Sequence, residues 1–163
     1  MLDYLGIFQK FNKNDIKYAV VGGLAVNLYG IPRMTYDIDL ILYLGNENLC
    51  NFLSIMQKWG FKPKIPVDIL DFANSDKRKD WIVNKNMKAF NLVNPDWAIS
   101  EIDIIIDTPI DYQKAVKNLK YVTIRDVSIP LISIYDLIIM KQSSNRLQDR
   151  EDIKLLRKVI NEK

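Results

Sequence analysis

Histidine is absent from the 163 residues, and this absence excludes several kinds of catalytic site. A histidine-based triad, a histidine general base and a histidine-ligated zinc centre are all ruled out. The groups left for catalysis are carboxylates, lysine, arginine, tyrosine, hydroxyls and a metal ion with oxygen ligands. Because hard oxygen ligands suit Mg²⁺ or Mn²⁺, a catalytic metal is expected to be one of these two.

Cysteine and long apolar runs are also scarce. Cys50 is the only cysteine, which excludes an intrachain disulfide and fits a reducing cytoplasm. No stretch approaches the roughly 20 apolar residues that span a bilayer. The first residues show neither a basic leader nor a small-residue cleavage site. We therefore expect a cytoplasmic protein with no signal peptide and no membrane contact.

Charge of one sign is not concentrated anywhere in the chain. The net charge is +3 with basic residues scattered, which is too weak a pattern to indicate nucleic-acid binding. Hydrophobic residues make up 48%, and there is no repeat, low-complexity tract or linker. These properties predict a single domain over residues 1–163 with its own core.

Apolar spacing predicts alternating strands and helices, an α/β (α+β) fold with a small mixed sheet flanked by helices. Strands are expected at Tyr18–Val21, Asp37–Leu44, Lys88–Val93, Glu101–Asp107, Tyr121–Ile124 and Val127–Leu131. Helices are expected at Asp3–Asn14, Leu24–Tyr29, Asn48–Trp59, Asp111–Leu119 and, at the C-terminus, over about 133–161 in two pieces. The segment Pro63–Asn86 has the weakest pattern, with one or two short helices around Val67–Ala73.

The most informative stretch is VVGGLAVNLYGIPRMTYDIDLIL, which begins at Val20. Strand side chains alternate between faces, so Asp37 and Asp39 point the same way while Ile38 faces the core. Two adjacent carboxylates repel each other unless a cation neutralises them, and a divalent metal is the usual one. A lone D-x-D is more often a solvated strand face.

Upstream of this pair, Gly22-Gly23 follows a strand and precedes a helix, where backbone N–H groups can approach a phosphate without a Cβ in the way. Alone, such a pair is most often only a turn. Arg33 and Thr35, in the loop before Asp37, would by themselves be an exposed cation and a turn hydroxyl. The order of these features is far more specific than any one of them.

The glycine pair, a short helix and then R-x-T-x-D-I-D closely resemble the signature of the polymerase-β-like nucleotidyltransferase superfamily. The likeness is greatest to the small branch that contains the abortive-infection nucleotidyltransferase toxins and their uncharacterised relatives. It implies the nucleotidyltransferase fold, with Gly22, Gly23, Arg33 and Thr35 at the triphosphate. Many members have Gly-Ser, so Gly23 leaves the phosphate contact to the backbone. The resemblance also makes Asp37 and Asp39 metal ligands.

The superfamily needs a third carboxylate on a later strand, and EIDIIID supplies the candidates. Alternation places Glu101, Asp103 and Asp107 on one face. Asp103 has the apolar-Asp-apolar setting of the family and is our choice for the third catalytic and metal-binding aspartate. Glu101 is the alternative, either as that ligand or as a group that helps to deprotonate the acceptor. The alternative without a function is that EIDIIID is an amphipathic edge strand whose acids are simply solvated.

The C-terminal segment also resembles this branch, in which a Lys, an Arg and an Asp pair occur across a helix–turn–helix. Lys141 is expected to reach the triphosphate as a point charge. Arg146 is expected to pair with Asp149 or Asp152 in a junction that fixes the last two helices. Residues 60–95 carry no resemblance.

The resulting functional hypothesis is a catalytic protein that moves a nucleoside monophosphate from a nucleoside triphosphate, such as ATP, to an acceptor hydroxyl, with Mg²⁺ or Mn²⁺. The acceptor class stays open among tRNA, a protein and a small molecule. Two rival interpretations are an inert nucleotide- or partner-binding module and the nucleotidyltransferase half of a toxin–antitoxin pair. The sequence indicates no oligomeric state.

Overall fold

Seven strands form one mixed sheet in the computed structural model, which describes residues 3–163. The strands are β1 (Tyr18–Val21), β2 (Ile38–Leu42), β3 (Lys62–Pro63), β4 (Ala89–Val93), β5 (Glu101–Ile105), β6 (Lys120–Ile124) and β7 (Val127–Leu131). Their order is β3-β4-β5-β2-β1-β7-β6. The pairs β2–β5 and β1–β7 are parallel and the other four are antiparallel. The expected α/β (α+β) class is confirmed.

Helices lie between the strands and on the sheet. They are α1 (Tyr4–Lys13), α2 (Gly22–Leu28), α3 (Asn46–Lys58), α4 (Ser75–Lys85), α5 (Tyr112–Ala115), α6 (Ile134–Ser144) and α7 (Leu147–Asn161), with 3₁₀ turns at Ile69–Ala73 and Val116–Asn118. Local capping explains several of their starts: Ser133 Oγ accepts a hydrogen bond from the Asp136 amide, as its S-x-x-D pattern indicates.

The core lies against the central strands β1 and β2. All four residues of β1 are buried, and the Tyr18 ring stacks on Phe8 of α1 with ring centroids 5.7 Å apart. Phe11 of α1 reaches Phe52 of α3 at 5.5 Å, which joins two helices on that face. Burial on both sides fixes the two strands that carry the functional motif.

The sequence prediction is wrong about the bounds of two strands. Strand β2 spans Ile38–Leu42 rather than Asp37–Leu44, so Asp37 lies just before it. Strand β5 ends at Ile105, so Asp107 does not continue the acidic row; its carboxylate pairs instead with Lys88 beyond the strand. Around Val67–Ala73, where one or two short helices were expected, the structure has a 3₁₀ helix at Ile69–Ala73, and α4 follows at Ser75–Lys85. Only Arg78 and Trp81 of α4 are buried, so its sequence carries almost no apolar period.

Within residues 3–163, no helix is both long and apolar enough to cross a membrane. The expected single domain includes Met1 and Leu2, which lie outside the described residues.

Candidate active site

The aspartates of β2 and β5 lie side by side at the centre of the sheet. Asp39 is in register with Asp103 on β5, and on its other side with Val21 on β1. Their sequence neighbours Ile38 and Ile102 are fully buried and in register with each other. Because side chains alternate along a strand, the two aspartates project from the opposite face to these isoleucines. The sheet register thus brings together residues that are 64 positions apart.

Burial and mutual repulsion dominate the electrostatics of these acids. Burial, with a further contribution from Asp37, raises the pKa of Asp39 to about 6, although the Gly23 amide and the charges of Arg146 and Lys141 oppose the rise. Burial also raises the pKa of Asp103, against a 2.7 Å hydrogen bond from Asn91 Nδ2. At both aspartates, burial thus outweighs the hydrogen bonds and cations that favour the ionised form.

Asp37 and Glu101 extend the acidic face at its edge. Burial and the nearby Glu101 raise the pKa of Asp37, while Lys64 lowers it. Lys64 directly follows β3, and its Nζ lies 3.3 Å from Glu101 Oε1. Glu101 is therefore already paired with a cation. Asp103, in contrast, is in register with Asp39, and its carboxylate accepts a hydrogen bond from the neutral Asn91 side chain.

The donor set suits Mg²⁺ or Mn²⁺, because it consists of carboxylate oxygens that destabilise one another without a cation. Among residues 3–163, however, no three acidic or cysteine side chains converge tightly enough to enclose an ion as they stand. Separate hydrogen bonds, from Gly23 to Asp39 and from Asn91 to Asp103, hold the carboxylates in this arrangement.

The glycine pair lies against these acids and is itself the start of α2. Gly22 has φ +65°, and a Cβ built on it would overlap the carboxylate of Asp39. A Cβ on Gly23 would lie 3.0 Å from Thr35 Oγ1 and 3.3 Å from Arg33 Cζ. Gly22 therefore needs glycine, whereas Gly23 lies in close contact with Arg33 and Thr35, whose side chains could shift slightly.

An ionic cluster from the C-terminal helices borders the same region. Lys141 Nζ, which is almost fully buried, lies 2.8 Å from Asp152 Oδ2 and 3.2 Å from Asp149 Oδ1. Arg33 donates to Asp152, and Arg146 Nε donates to Asp149 Oδ2 at 3.0 Å. The expected pairing of Arg146 with Asp149 is confirmed. Contact of Lys141 with a triphosphate stays a prediction, and it would require the ammonium to leave these carboxylates.

Asp149 is held ionised by this cluster. Burial alone would raise its pKa, but hydrogen bonds from Ser144 and Arg146 and the charge of Lys141 lower the pKa to about 2. The Ser144 Oγ to Asp149 Oδ2 distance is 2.6 Å. The cluster is consequently a permanent ionic junction at neutral pH, as expected for the two last helices.

Asn91 and Lys64 are the site residues that the sequence did not reveal. Both lie in the segment 60–95, which carries no motif, and they reach the acids only because β3 and β4 continue the sheet beyond β5. Asn91 is directly in register with Asp103. The predicted strand at Lys88–Val93 was the one available signal, but the pairing of that strand was not specified.

A cavity of about 370 Å³ has Asp37 in its lining, while Asp39, Asp103 and Glu101 are not among its lining residues. Thr35, Tyr36 and Asp37 form one wall, and Leu24 and Asn27 of α2 form another. Tyr36 is 70% exposed although it carries a large aromatic ring. This space therefore adjoins the acidic face at Asp37.

The sequence matches, over residues 6–162, the family described as "Nucleotidyltransferase of unknown function (DUF6036)". Comparison with curated proteins gives no match.

Several solved structures share the fold. The lincosamide antibiotic adenylyltransferase LnuA, in its lincomycin-bound form, has a TM-score of 0.64 at 17% identity, covering 96% of this chain and 95% of that one. The antibiotic-resistance factor ANT(2'')-Ia has a TM-score of 0.60 at 12% identity, and the match covers 96% of this chain and 83% of that one. A putative nucleotidyltransferase from Thermotoga maritima has a TM-score of 0.54 at 19% sequence identity. The match covers 98% of this chain and 94% of that one. These likenesses confirm the nucleotidyltransferase fold.

Proposed function

Because the chain belongs to this nucleotidyltransferase family, we propose that it transfers a nucleoside monophosphate from a nucleoside triphosphate to an acceptor hydroxyl at the Asp37–Asp39–Asp103 face. The observation that carries the proposal is the register of Asp39 with Asp103, directly beside the glycine pair. This arrangement places acids that bind a cation next to a backbone that a phosphate can approach.

In this proposal Asp37, Asp39 and Asp103 hold Mg²⁺ or Mn²⁺, which supplies charge neutralisation for the triphosphate and lowers the pKa of the acceptor hydroxyl. The acceptor oxygen attacks the α-phosphorus, and the bond from that phosphorus to the oxygen bridging to the β-phosphate breaks. Pyrophosphate leaves, and the acceptor proton passes to solvent or to Glu101. The protein contributes mainly position and charge.

Gly22 and Gly23 receive the triphosphate through their backbone, with Arg33 and Thr35 above Gly23. This assignment is supported by the close packing of Asp39 against Gly22 and by the 3.3 Å approach of Arg33 to the Gly23 position, which place a cation and an acid at the glycine pair. The guanidinium of Arg33 matches phosphate geometry through paired N–H donors. Lys141 adds positive charge from behind, since its field already lowers the pKa of Asp39.

A small-molecule hydroxyl is the first acceptor to test. Two of the similar structures are antibiotic-modifying or antibiotic-resistance proteins, and LnuA is matched over 95% of its length. The 370 Å³ cavity beside Asp37 is large enough for part of such a molecule. Transfer to tRNA or to a protein, as in the toxin half of a toxin–antitoxin pair, is the other outcome of the same assay.

The test is incubation of the purified protein with each α-labelled nucleoside triphosphate, Mg²⁺ or Mn²⁺, and separate pools of small molecules, tRNA and protein. Mass spectrometry should find one pool heavier by one nucleoside monophosphate, with stoichiometric pyrophosphate release. The Asp39→Asn variant should give neither product. If all pools stay unmodified while the protein binds triphosphate tightly, the inert binding-module interpretation replaces this one.

A further inference from the structure

The loop that carries Arg33 and Thr35 is tied to the C-terminal helix α7 by one buried carboxylate. Arg33 donates through Nη1 to Asp152 Oδ2, across 119 residues of sequence. Resting on the proposed function, we propose that Asp152 is a positioning residue for the nucleotide site. It holds the Arg33 guanidinium above Gly23, so that the α6–α7 pair is part of the triphosphate-binding apparatus.

The first support is where Arg33 lies. Its Cζ is 3.3 Å from the point that a Cβ on Gly23 would occupy. The Gly23 amide also bonds to Asp39. A guanidinium has five N–H donors, so the contact with Asp152 through Nη1 leaves others for a phosphate. Arg33 therefore faces the acid on one side and the glycine pair on the other.

The second support is how firmly Asp152 itself is held. The Asp152 side chain is 1% exposed and accepts hydrogen bonds from Arg33, from Lys141 Nζ at 2.8 Å and from Gln148 Nε2 at 3.1 Å. Lys141 belongs to α6, while Gln148 and Asp152 belong to α7. A buried carboxylate with three fixed donors gives Arg33 an anchor that a mobile surface acid would not provide.

The third support is the balance of charge. Asp149 and Asp152 contact three cations, namely Lys141, Arg33 and Arg146. The cluster thus retains about one positive charge beside an acidic face that needs it, and the charges of Lys141 and Arg146 already lower the pKa of Asp39. A purely structural junction between two helices would not need the loop arginine.

A double-mutant cycle between Asp152 and Arg33 tests the inference. Affinity for a non-hydrolysable nucleoside triphosphate with Mg²⁺ is measured by calorimetry for the wild type, Asp152→Asn, Arg33→Gln and the double variant. Asp152→Asn should weaken binding by about tenfold, a coupling of about 1.4 kcal/mol that disappears when Arg33 is already replaced. Glu151→Gln is the matched control, because Glu151 is an exposed acid of α7 that pairs with Lys154 on the surface. Its affinity should equal that of the wild type.

Removal of a buried charge can also destabilise the fold, so a second variant and a second readout are needed. Gln148→Ala takes one hydrogen bond from Asp152 without changing any charge. It should weaken binding less than Asp152→Asn does, and again only while Arg33 is present. Amide hydrogen exchange in the free protein should become faster over residues 30–36 in Asp152→Asn and in Arg33→Gln, and stay unchanged in Glu151→Gln.

The outcomes separate this inference from the proposed function. Additive effects of Asp152→Asn and Arg33→Gln on affinity, or unchanged exchange over residues 30–36, would overturn the positioning role. If the wild type binds no triphosphate, the proposed function fails instead. The exchange measurement, which uses no nucleotide, then decides alone whether Asp152 holds the loop.

Discussion

Asp39 lies between Asp37 and Asp103 and directly against the backbone of Gly22. Its charge is costly in the folded protein because burial and Asp37 both disfavour ionisation. We expect Asp39→Asn to reduce transfer by about a thousandfold or more, since electrostatic stabilisation of the transferred phosphoryl group is lost. The same change should raise the melting temperature in EDTA, because one of the repelling charges disappears.

A transfer assay and thermal unfolding of the same samples check this prediction. Asp107→Asn is the control: Asp107 lies just past the end of β5, is bound to Lys88 and should leave activity unchanged. Near-normal transfer by Asp39→Asn would remove the residue from the catalytic assignment.

The two glycines should respond differently to substitution. Gly22 has a left-handed backbone, and its Cβ would overlap Asp39, so Gly22→Ala should cost about 1–3 kcal/mol of folding free energy and displace the aspartate. In Gly23→Ala the new Cβ would lie 3.0 Å from Thr35 Oγ1 and 3.3 Å from Arg33 Cζ, which are the ends of flexible side chains. It should therefore weaken triphosphate affinity with little loss of stability.

Denaturant unfolding and calorimetric titration measure the two effects side by side. Equal affinity in Gly23→Ala and the wild type would reduce that glycine to part of a turn. A stable Gly22→Ala variant with full activity would contradict the crowding at Asp39.

Residue spacing singled out Asp37, Asp39 and the glycine pair as candidates because they lie within one short segment, although β2 begins only at Ile38. The position of Asp103 was harder to predict, because only the parallel pairing of β2 with β5 brings this residue beside Asp39. The anchor that Asp152 provides for Arg33 was not predicted at all. The sequence paired Arg146 with either Asp149 or Asp152, and in the structure Arg146 contacts Asp149 while Arg33 contacts Asp152.

At the scale of elements, the strand β4 supplies a residue that orients the acid of its neighbour. Asn91 is in register with Asp103 and donates to its Oδ1 at 2.7 Å. Groups that orient metal-binding side chains typically change metal affinity or activity by 10–100-fold when removed. We expect Asn91→Ala to raise the Mg²⁺ concentration needed for half-maximal transfer by about tenfold.

A metal titration of the transfer rate checks the role of Asn91. Asn84→Ala is a matched control, because Asn84 also donates to an aspartate, Asp80, at 2.6 Å on the exposed helix α4. If both variants behave like the wild type, the hydrogen bond to Asp103 is not needed for metal binding.

Elements with a strong apolar period were predicted within a few residues, as β1, β7 and α1 show. Elements whose form depends on distant partners were not predicted from the sequence. The two-residue strand β3 exists only because β4 pairs with it, and α4 buries just Arg78 and Trp81. The end of β5 at Ile105 follows from the length of its pairing with β4, which no local pattern specifies.

At the scale of the whole molecule, two groups of charges with opposite pH responses lie next to each other. The acids of the sheet have raised pKa values, while Asp149 in the α6–α7 junction has a pKa of about 2. A carboxyl group whose pKa is raised by folding stabilises the folded state at low pH and loses that contribution as the pH rises through its folded pKa. A carboxyl group whose pKa is lowered does the reverse.

The directions of these pKa shifts predict that the metal-free protein is most stable at acidic pH. Between pH 4 and pH 7 the folded state binds more protons at Asp39 than the unfolded state, whose pKa is near 3.8, so the free energy of unfolding should fall across this window. The shift of Asp39 to about 6 corresponds to at most about 3 kcal/mol. Below pH 4, protonation of Asp149 in the unfolded state should lower stability again.

Divalent cations should cancel the loss at neutral pH, because a cation that binds the ionised acids of the folded state adds binding free energy. Denaturant unfolding from pH 3 to pH 8, with EDTA or with saturating Mg²⁺, measures both curves. The EDTA curve should decline above pH 5 and the Mg²⁺ curve should not, while Asp39→Asn should flatten the decline in EDTA. Stability that rises steadily toward pH 8 without metal would mean that the three acids do not repel one another as their positions indicate. A missing Mg²⁺ effect in the presence of that decline would mean that the acids form a charged face that binds no cation, and the transfer chemistry proposed for them would then lack its metal.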